Sequence, residues 1–166
     1  MMSFLNDKQI LAAMKKNELI ALGGDEKAVT PNGYDLSIET MNTLIEAPGF
    51  PLVCRSLFTK EYLKMPKDVI GILHLRSRFV RVGAFGSFGI VDAGFEGHLQ
   101  FSIYAPKEMW ELFEKSADKR MVQIIFYKLS EEVAIGYAGR SGNFQGMKPH
   151  TTTKTTEEVI FKGLEL

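Results

Sequence analysis

Within six residues the sequence sets Arg76, Ser77, Arg78 and Arg81, three guanidinium forks and a hydroxyl of the kind that hold phosphate oxygens. Later in the same stretch, residues 71–104, a lone acid, Asp92, lies between Ile90-Val91 and Ala93-Gly94. Donors of this type beside an isolated carboxylate are the parts of an anion site with a positioned acid or base. Each part also has a plainer reading. Cations at a strand end often form a solvated edge that discourages pairing. On an extended chain residues 76 and 78 point one way and 77 the other, so a turn before Gly83 is needed to gather them on one ligand. Asp92, in a segment with four glycines from Gly83 to Gly94, is either a turn former bonding its own backbone or a base held on a rigid hairpin. Phe95 is either a stacking surface for a base or sugar or a buried hairpin aromatic.

Other chemistries have weaker support. His74, His98 and His150 have no ligand-like spacing to one another or to Cys54, which argues against a protein-held zinc and for packing or surface roles. With a single cysteine, no intramolecular disulfide can form. The phosphate-loop, dinucleotide-fingerprint and nucleophile-elbow patterns are absent. Near the C-terminus, a glycine-rich run starting at Tyr137 contains Arg140, Phe144 and Gln145. It suits either a lid over an anionic, planar ligand or a polar surface loop.

Short strands are the elements that must hold these residues. Residues 6–19 read as an amphipathic helix with Ile10, Leu11, Met14 and Leu19 on one face and Asn6 or Asp7 as N-cap. Gly23-Gly24-Asp25 breaks it, and Pro31-Asn32-Gly33 turns into an alternating strand at 34–38. After a turn at Pro48-Gly49-Phe50-Pro51, strands are expected at 52–58, 69–75, 83–91, 98–104, 121–129 and 133–137. Residues 106–120 fit either a helix face or a strand broken by a loop. Many short strands between Gly and Pro turns predict an all-β sandwich, barrel or jelly roll with a short N-terminal helix.

The 166 residues fit one domain. Twenty basic residues balance twenty acidic ones, so no overall field favours nucleic acid or an anionic membrane, and an anion site must be local. Neither a signal-peptide pattern nor a membrane-length apolar run is present, so the expected location is the cytoplasm.

Taken in order, five segments resemble motifs of the trimeric dUTPase and dCTP deaminase superfamily. They are Pro31-Asn-Gly-Tyr-Asp-Leu36, Arg76-Ser77-Arg78, Gly89-Ile-Val-Asp-Ala-Gly-Phe-Glu-Gly97, Arg120-Met-Val-Gln-Ile124 and Asn143-Phe144-Gln145-Gly146. The last is similar to the C-terminal loop of the deaminases, and Phe4-Leu-Asn-Asp-Lys-Gln-Ile10 and Arg81 follow the same branch. The resemblance covers residues 4–148, so residues 1–147 are expected to form the domain and 148–166 a tail whose last apolar residues, Val159-Ile160-Phe161, dock elsewhere.

The resemblance implies a distorted jelly roll of the dUTPase-like β-clip type, assembled as a homotrimer with deoxynucleoside triphosphate sites between subunits and Mg²⁺ on the triphosphate. It implies phosphate contacts from Arg76, Ser77 and Arg81, with Arg78 standing where a small residue is usual. Further nucleotide contacts would come from Gln123 and Gln145, with Tyr137 and Arg140 in the lid. Asp92 matches the acid that orients water in dUTPases, Phe95 the aromatic under the deoxyribose, and Phe144 the tail aromatic. The resemblance also implies Asp35 as a partner for the waters of the metal.

One departure separates the branches. The deaminases carry a glutamate ten residues beyond the aspartate, and here that position is Ser102. Replacing a 4-amino group by oxygen needs a carboxyl able to shuttle protons between water and ammonia; serine cannot do this alone, and Glu96 is expected in the hairpin turn. Pyrophosphate release needs only in-line water, a base, Mg²⁺ and cations. The expected activity is therefore dUTP diphosphatase. The alternatives are dCTP deaminase, alone or bifunctional, and a catalytically silent deoxynucleotide-binding protein.

Overall fold

The computed structural model describes residues 3–46 and 49–149. Pro48 of the expected turn, His150 and the tail beyond it lie outside the described residues. In chain order the elements are β1 (Ser3–Phe4), α1 (Asp7–Met14), β2 (Leu19–Leu22), β3 (Val29–Thr30), β4 (Gly33–Ile45), β5 (Leu52–Lys64) and β6 (Val69–Leu75). They continue as α2 (Ser77–Val80), β7 (Phe85–Ser87), β8 (Ile90–Val91), β9 (Glu96–Pro106), α3 (Lys107–Lys115), β10 (Arg120–Lys128) and α4 (Tyr137–Arg140).

The strands are hydrogen-bonded in the order β7-β9-β5-β4-β10-β6-β8, all antiparallel, with β1 on β10, β2 on β5 and β3 on β4. β4 turns the corner. Its first half pairs with β10, from Tyr34↔Ile124 to Ser37↔Arg120, and its second half pairs with β5, from Ile38↔Thr59 to Ile45↔Cys54. A strand that changes partner midway folds one sheet over on itself, and both faces of its first half are consequently covered. Tyr34, Asp35, Leu36 and Ile38 are all buried there. The core between the layers is filled by Leu57, Leu63, Ile103, Met121, Val122, Ile124 and Phe126. Each such side chain contributes about 1.5–3 kcal/mol when removed from water. The all-β jelly roll expected from the sequence is the fold observed.

Local structure differs from the reading of the sequence at several places, and the strand expected at 83–91 is two short ones, β7 paired with β9 and β8 paired with β6. Helix α1 begins as expected, with Asn6 accepting from the Gln9 amide at 3.1 Å and Gln9 Oε1 accepting from the Asn6 amide at 3.0 Å. It ends at Met14 rather than near Leu19, because Asn17 and Leu19 take left-handed φ of 56° and 62°, which no helix tolerates. Residues 133–137 form no strand. They lead into α4, whose Tyr137 amide donates to the Ala93 carbonyl at 2.9 Å. The undecided segment 106–120 contains helix α3, whose buried Trp110 donates from Nε1 to the Val53 carbonyl at 3.0 Å.

Candidate functional site

The basic cluster is positioned by α2 and α3 together. Arg76 remains extended at the end of β6, and Ser77 opens the single turn of α2. Phe79 of that turn packs edge-on against Phe113 of α3, with ring centroids 5.7 Å apart. Helix α3 thus braces α2 from behind. The chain then leads from α3 to Asp118, an acid to which the sequence analysis assigned no role.

Asp118 gathers three of the nearby arginines. It takes Arg120 Nε at 2.9 Å, Arg78 Nη1 at 3.1 Å and Arg76 Nη1 at 3.5 Å. The hydrogen bond from Arg120 is the main reason its carboxyl is held well below the usual range. Arg78 also donates to the Arg120 carbonyl and lies over the Phe79 ring. It is not among the residues lining the adjoining cavity, which are Thr30, Asp35, Leu75, Arg76, Ser77, Val80, Arg81 and Gln123. Arg81 is exposed and has no carboxylate partner among the described residues.

Asp35 faces this cavity from β4, buried, with Oδ2 2.9 Å from Arg76 Nε. Burial pushes its carboxyl up from the ordinary value, and Arg76 offsets that only in part. Gln123 donates to Thr30 Oγ1 at 3.0 Å. Among the described residues no three His, Cys, Asp or Glu side chains converge on a metal position. The donors fit a Mg²⁺ carried in on phosphates and met through water by Asp35, and not one caged by side chains alone.

Asp92 occupies a different place. It begins a tight turn in which the Phe95 amide donates to its carbonyl at 3.1 Å. Gly94 has a φ of 81°, and a Cβ there would come within 3.1 Å of Gly136 Cα. The turn-former and positioned-acid readings are compatible. The backbone makes the turn, while the exposed Asp92 carboxylate has no hydrogen-bond or ion-pair partner among the described residues. It faces a cavity of about 520 Å³ together with Phe95, His98, Gln100, Ser102, Ser56, Tyr137 and Phe144, a size suited to a small ligand. Phe95 is buried and still lines that cavity, edge-on to Tyr137 at 5.4 Å.

The glycine-rich C-terminal run folds back over the hairpin of its own chain. Gln145 Oε1 accepts from the Glu96 amide at 3.1 Å, and its Nε2 donates to the Gly94 carbonyl at 3.5 Å. The Gly146 amide donates to the Glu96 carbonyl at 2.7 Å, and Met147 bridges to Gly97. The Gln145 amide therefore fastens the loop, while Phe144 reaches the cavity. Arg140 lies with Asp92, Tyr137 and Ser141 around a neighbouring hollow. Glu96 pairs with Lys64 at 3.7 Å and is not among the residues lining the Asp92 cavity.

Two residues of this region give little sign of themselves in the sequence. Asp118 could have been noticed from its spacing of two before Arg120. His98, the first outward residue after Gly97, could have been noticed from strand alternation. The structure does not bring Arg76 and Asp92 together in one chain, since the cavities they line share no residue.

The 2'-deoxycytidine 5'-triphosphate deaminase from Agrobacterium tumefaciens superposes with a TM-score of 0.58 at 16% identity, over 76% of this chain. This chain spans about half of that one, 48%. Residues 57–129 match the family model described as dCTP deaminase-like. The dCTP deaminase of Thermococcus sibiricus is 31% identical over 147 residues, which is 80% of this chain and 90% of that protein. A Sulfolobus islandicus rod-shaped virus 1 protein named "Probable deoxyuridine 5'-triphosphate nucleotidohydrolase" is 30% identical over 160 residues, 90% of this chain and 98% of the other. The chain belongs to the dCTP deaminase-like family of the dUTPase and dCTP deaminase superfamily.

Proposed function

We propose that this protein hydrolyses dUTP to dUMP and pyrophosphate. The observation that carries the reading is the wall of the Asp92 cavity. Ser102, at the position of the deaminase glutamate, faces that cavity from β9 opposite Ser56 of β5, and among the described residues Asp92 is the only carboxylate lining it. A single carboxylate with no partner can take a proton from a water attacking the α-phosphorus. The α–β bridging oxygen leaves with pyrophosphate. Deamination would ask a carboxyl placed beside the base to shuttle protons between water and the departing amine, and the position from which the deaminases present that group is Ser102 here.

Arg76, Ser77, Arg81 and Gln123 are the phosphate-binding side of this reading, with Arg140 as a further cation near Asp92. Mg²⁺ on the triphosphate would neutralise phosphate charge, with Asp35 holding its water shell. The cation cavity and the Asp92 cavity share no residue, so we assign a complete site to two copies of the chain in a homotrimer. Val80 at the cation cavity and Ile90 at the Asp92 cavity are exposed apolar side chains, as are Val82 and Phe85, and they suit a covered surface.

The names of the archaeal relatives favour a second reading, deamination of dCTP. Purified protein with Mg²⁺ and either dUTP or dCTP separates the two readings. Pyrophosphate and dUMP from dUTP, without ammonia from dCTP, is the expected result. Ammonia from dCTP overturns it, and binding without any product assigns the chain to a nucleotide-binding role.

A further inference from the structure

The Asp92 cavity carries a row of side chains not yet given a task. Along β9, Leu99, Phe101, Ile103 and Ala105 are buried in the core. His98, Gln100 and Ser102 therefore share the opposite face, and all three line the cavity. Gln100 donates from Nε2 to Ser56 Oγ at 2.8 Å, which leaves its Oε1 as an acceptor. His98 Nδ1 lies 3.0 Å from the Thr59 carbonyl oxygen. A carbonyl only accepts, so Nδ1 carries the proton, and the neutral ring keeps its lone pair on Nε2.

The anchor for this tautomer is built into the sheet. Phe58 pairs with Gln100 and Tyr62 with His98, so four steps along β5 face two along β9. The bulge leaves Thr59 unpaired in the β5–β9 ladder, while it still pairs with Ile38 of β4. The buried Thr59 hydroxyl accepts from the Leu99 amide at 2.9 Å and donates to the Glu61 carbonyl at 2.9 Å. Its carbonyl is left for His98. Tyr62 holds the imidazole edge-on at 5.4 Å. Among the described residues Nε2 has no partner.

His98 Nε2 and Gln100 Oε1 are acceptors in this row, beside the Ser102 hydroxyl, which can do either, and among the described residues neither lysine nor arginine lines this cavity. A triphosphate offers mainly acceptors, whereas the nucleoside end of a nucleotide offers N–H and O–H donors. We propose that His98 is a specificity-determining residue whose Nε2 accepts a hydrogen bond from the nucleoside end of the ligand. The charged and titratable groups around the ring are Asp92 of the hairpin, Tyr137 of α4 and Tyr62 of β5, with Glu39 of β4 and Lys148 across the adjoining hollow that His98 also lines. The inference rests on the nucleotide reading above, but not on which reaction follows binding.

Calorimetric titration of the full chain with non-hydrolysable imido analogues of dUTP and dCTP tests it. His98→Phe keeps a ring and loses the acceptor, and should bind one analogue about tenfold more weakly than wild type. His98→Gln keeps an acceptor and is expected to recover most of that loss. If His98→Phe binds both analogues as tightly as wild type, the role assigned to His98 is wrong while the nucleotide reading survives. If wild type binds neither analogue, both fall. Should His98→Phe fail to fold, His98→Leu takes its place in the same comparison.

Discussion

At the scale of single residues, an acid is most useful to chemistry when nothing in its own fold satisfies it, and Asp92 meets that description. Asp92→Asn removes the proposed base and leaves the turn, which is made by the backbone. Turnover should fall by roughly 10²–10⁴-fold, with nucleotide affinity changed little, as read by pyrophosphate release beside calorimetry. Arg76 is the opposite case. Its fork reaches Asp35 at 2.9 Å, the Arg120 carbonyl at 3.0 Å and Asp118 at 3.5 Å, and a lysine can keep the charge without reproducing that geometry. Arg76→Lys is therefore expected to raise KM for the triphosphate about tenfold. It should also lower Tm by about 2–4 °C, since Asp35 stays buried with a weaker partner. An unchanged Tm would mean that the Arg76–Asp35 pair adds nothing to the fold.

At the scale of elements, the β5 bulge that serves His98 also buries an acid. Glu61 is 1% exposed and accepts from the Ser37 amide at 2.9 and 3.1 Å and from the Tyr34 hydroxyl at 3.3 Å. Burial outweighs these bonds and pushes its carboxyl up to about 7. The folded state therefore holds a proton that the unfolded chain releases near the ordinary carboxyl value. Stability from this group is full below that value and is lost as pH rises towards 7. The loss is on the order of 3 kcal/mol. Glu61→Gln should thus gain in Tm relative to wild type as pH goes from about 5 to about 8; a gap independent of pH would show that Glu61 is already ionised in the fold. The C-terminal loop makes a separate prediction, because the Gln145 amide spans Glu96 N and Gly94 O. Gln145→Ala should speed amide exchange in residues 141–147 and raise KM by a few fold, roughly 1 kcal/mol.

At the scale of the whole molecule, the two cavities share no lining residue. If a working site draws Arg76 from one copy and Asp92 from another, a protein inactive through Arg76→Ala and one inactive through Asp92→Asn should rescue each other when co-expressed. Random assembly into a closed ring leaves about a quarter of the sites with both native residues. Activity near that share is the expected result. No recovery in mixed oligomers would confine the site to one chain.

Much of this was legible beforehand because it is encoded locally. The strand-and-turn spacing fixed the class of fold, and Asn6 announced the helix that starts beside it. The hairpin residues Asp92, Gly94 and Phe95 are neighbours whose arrangement a tight turn dictates. The four cations at 76, 78, 81 and 120 were also visible by type, but not by task. The sequence alone cannot say that Asp118 engages Arg78 and Arg120 while Arg76 and Arg81 face a cavity, because Asp118 meets them only after α3 folds against α2. It likewise cannot say that Glu61 is buried or that the His98 ring is fixed in one tautomer, because both depend on a bulge at which β5 runs two residues ahead of β9. A glance along the chain therefore determined the kinds of groups available. Long-range strand register and one helix packed behind a turn decided which of those groups remain free to meet a ligand.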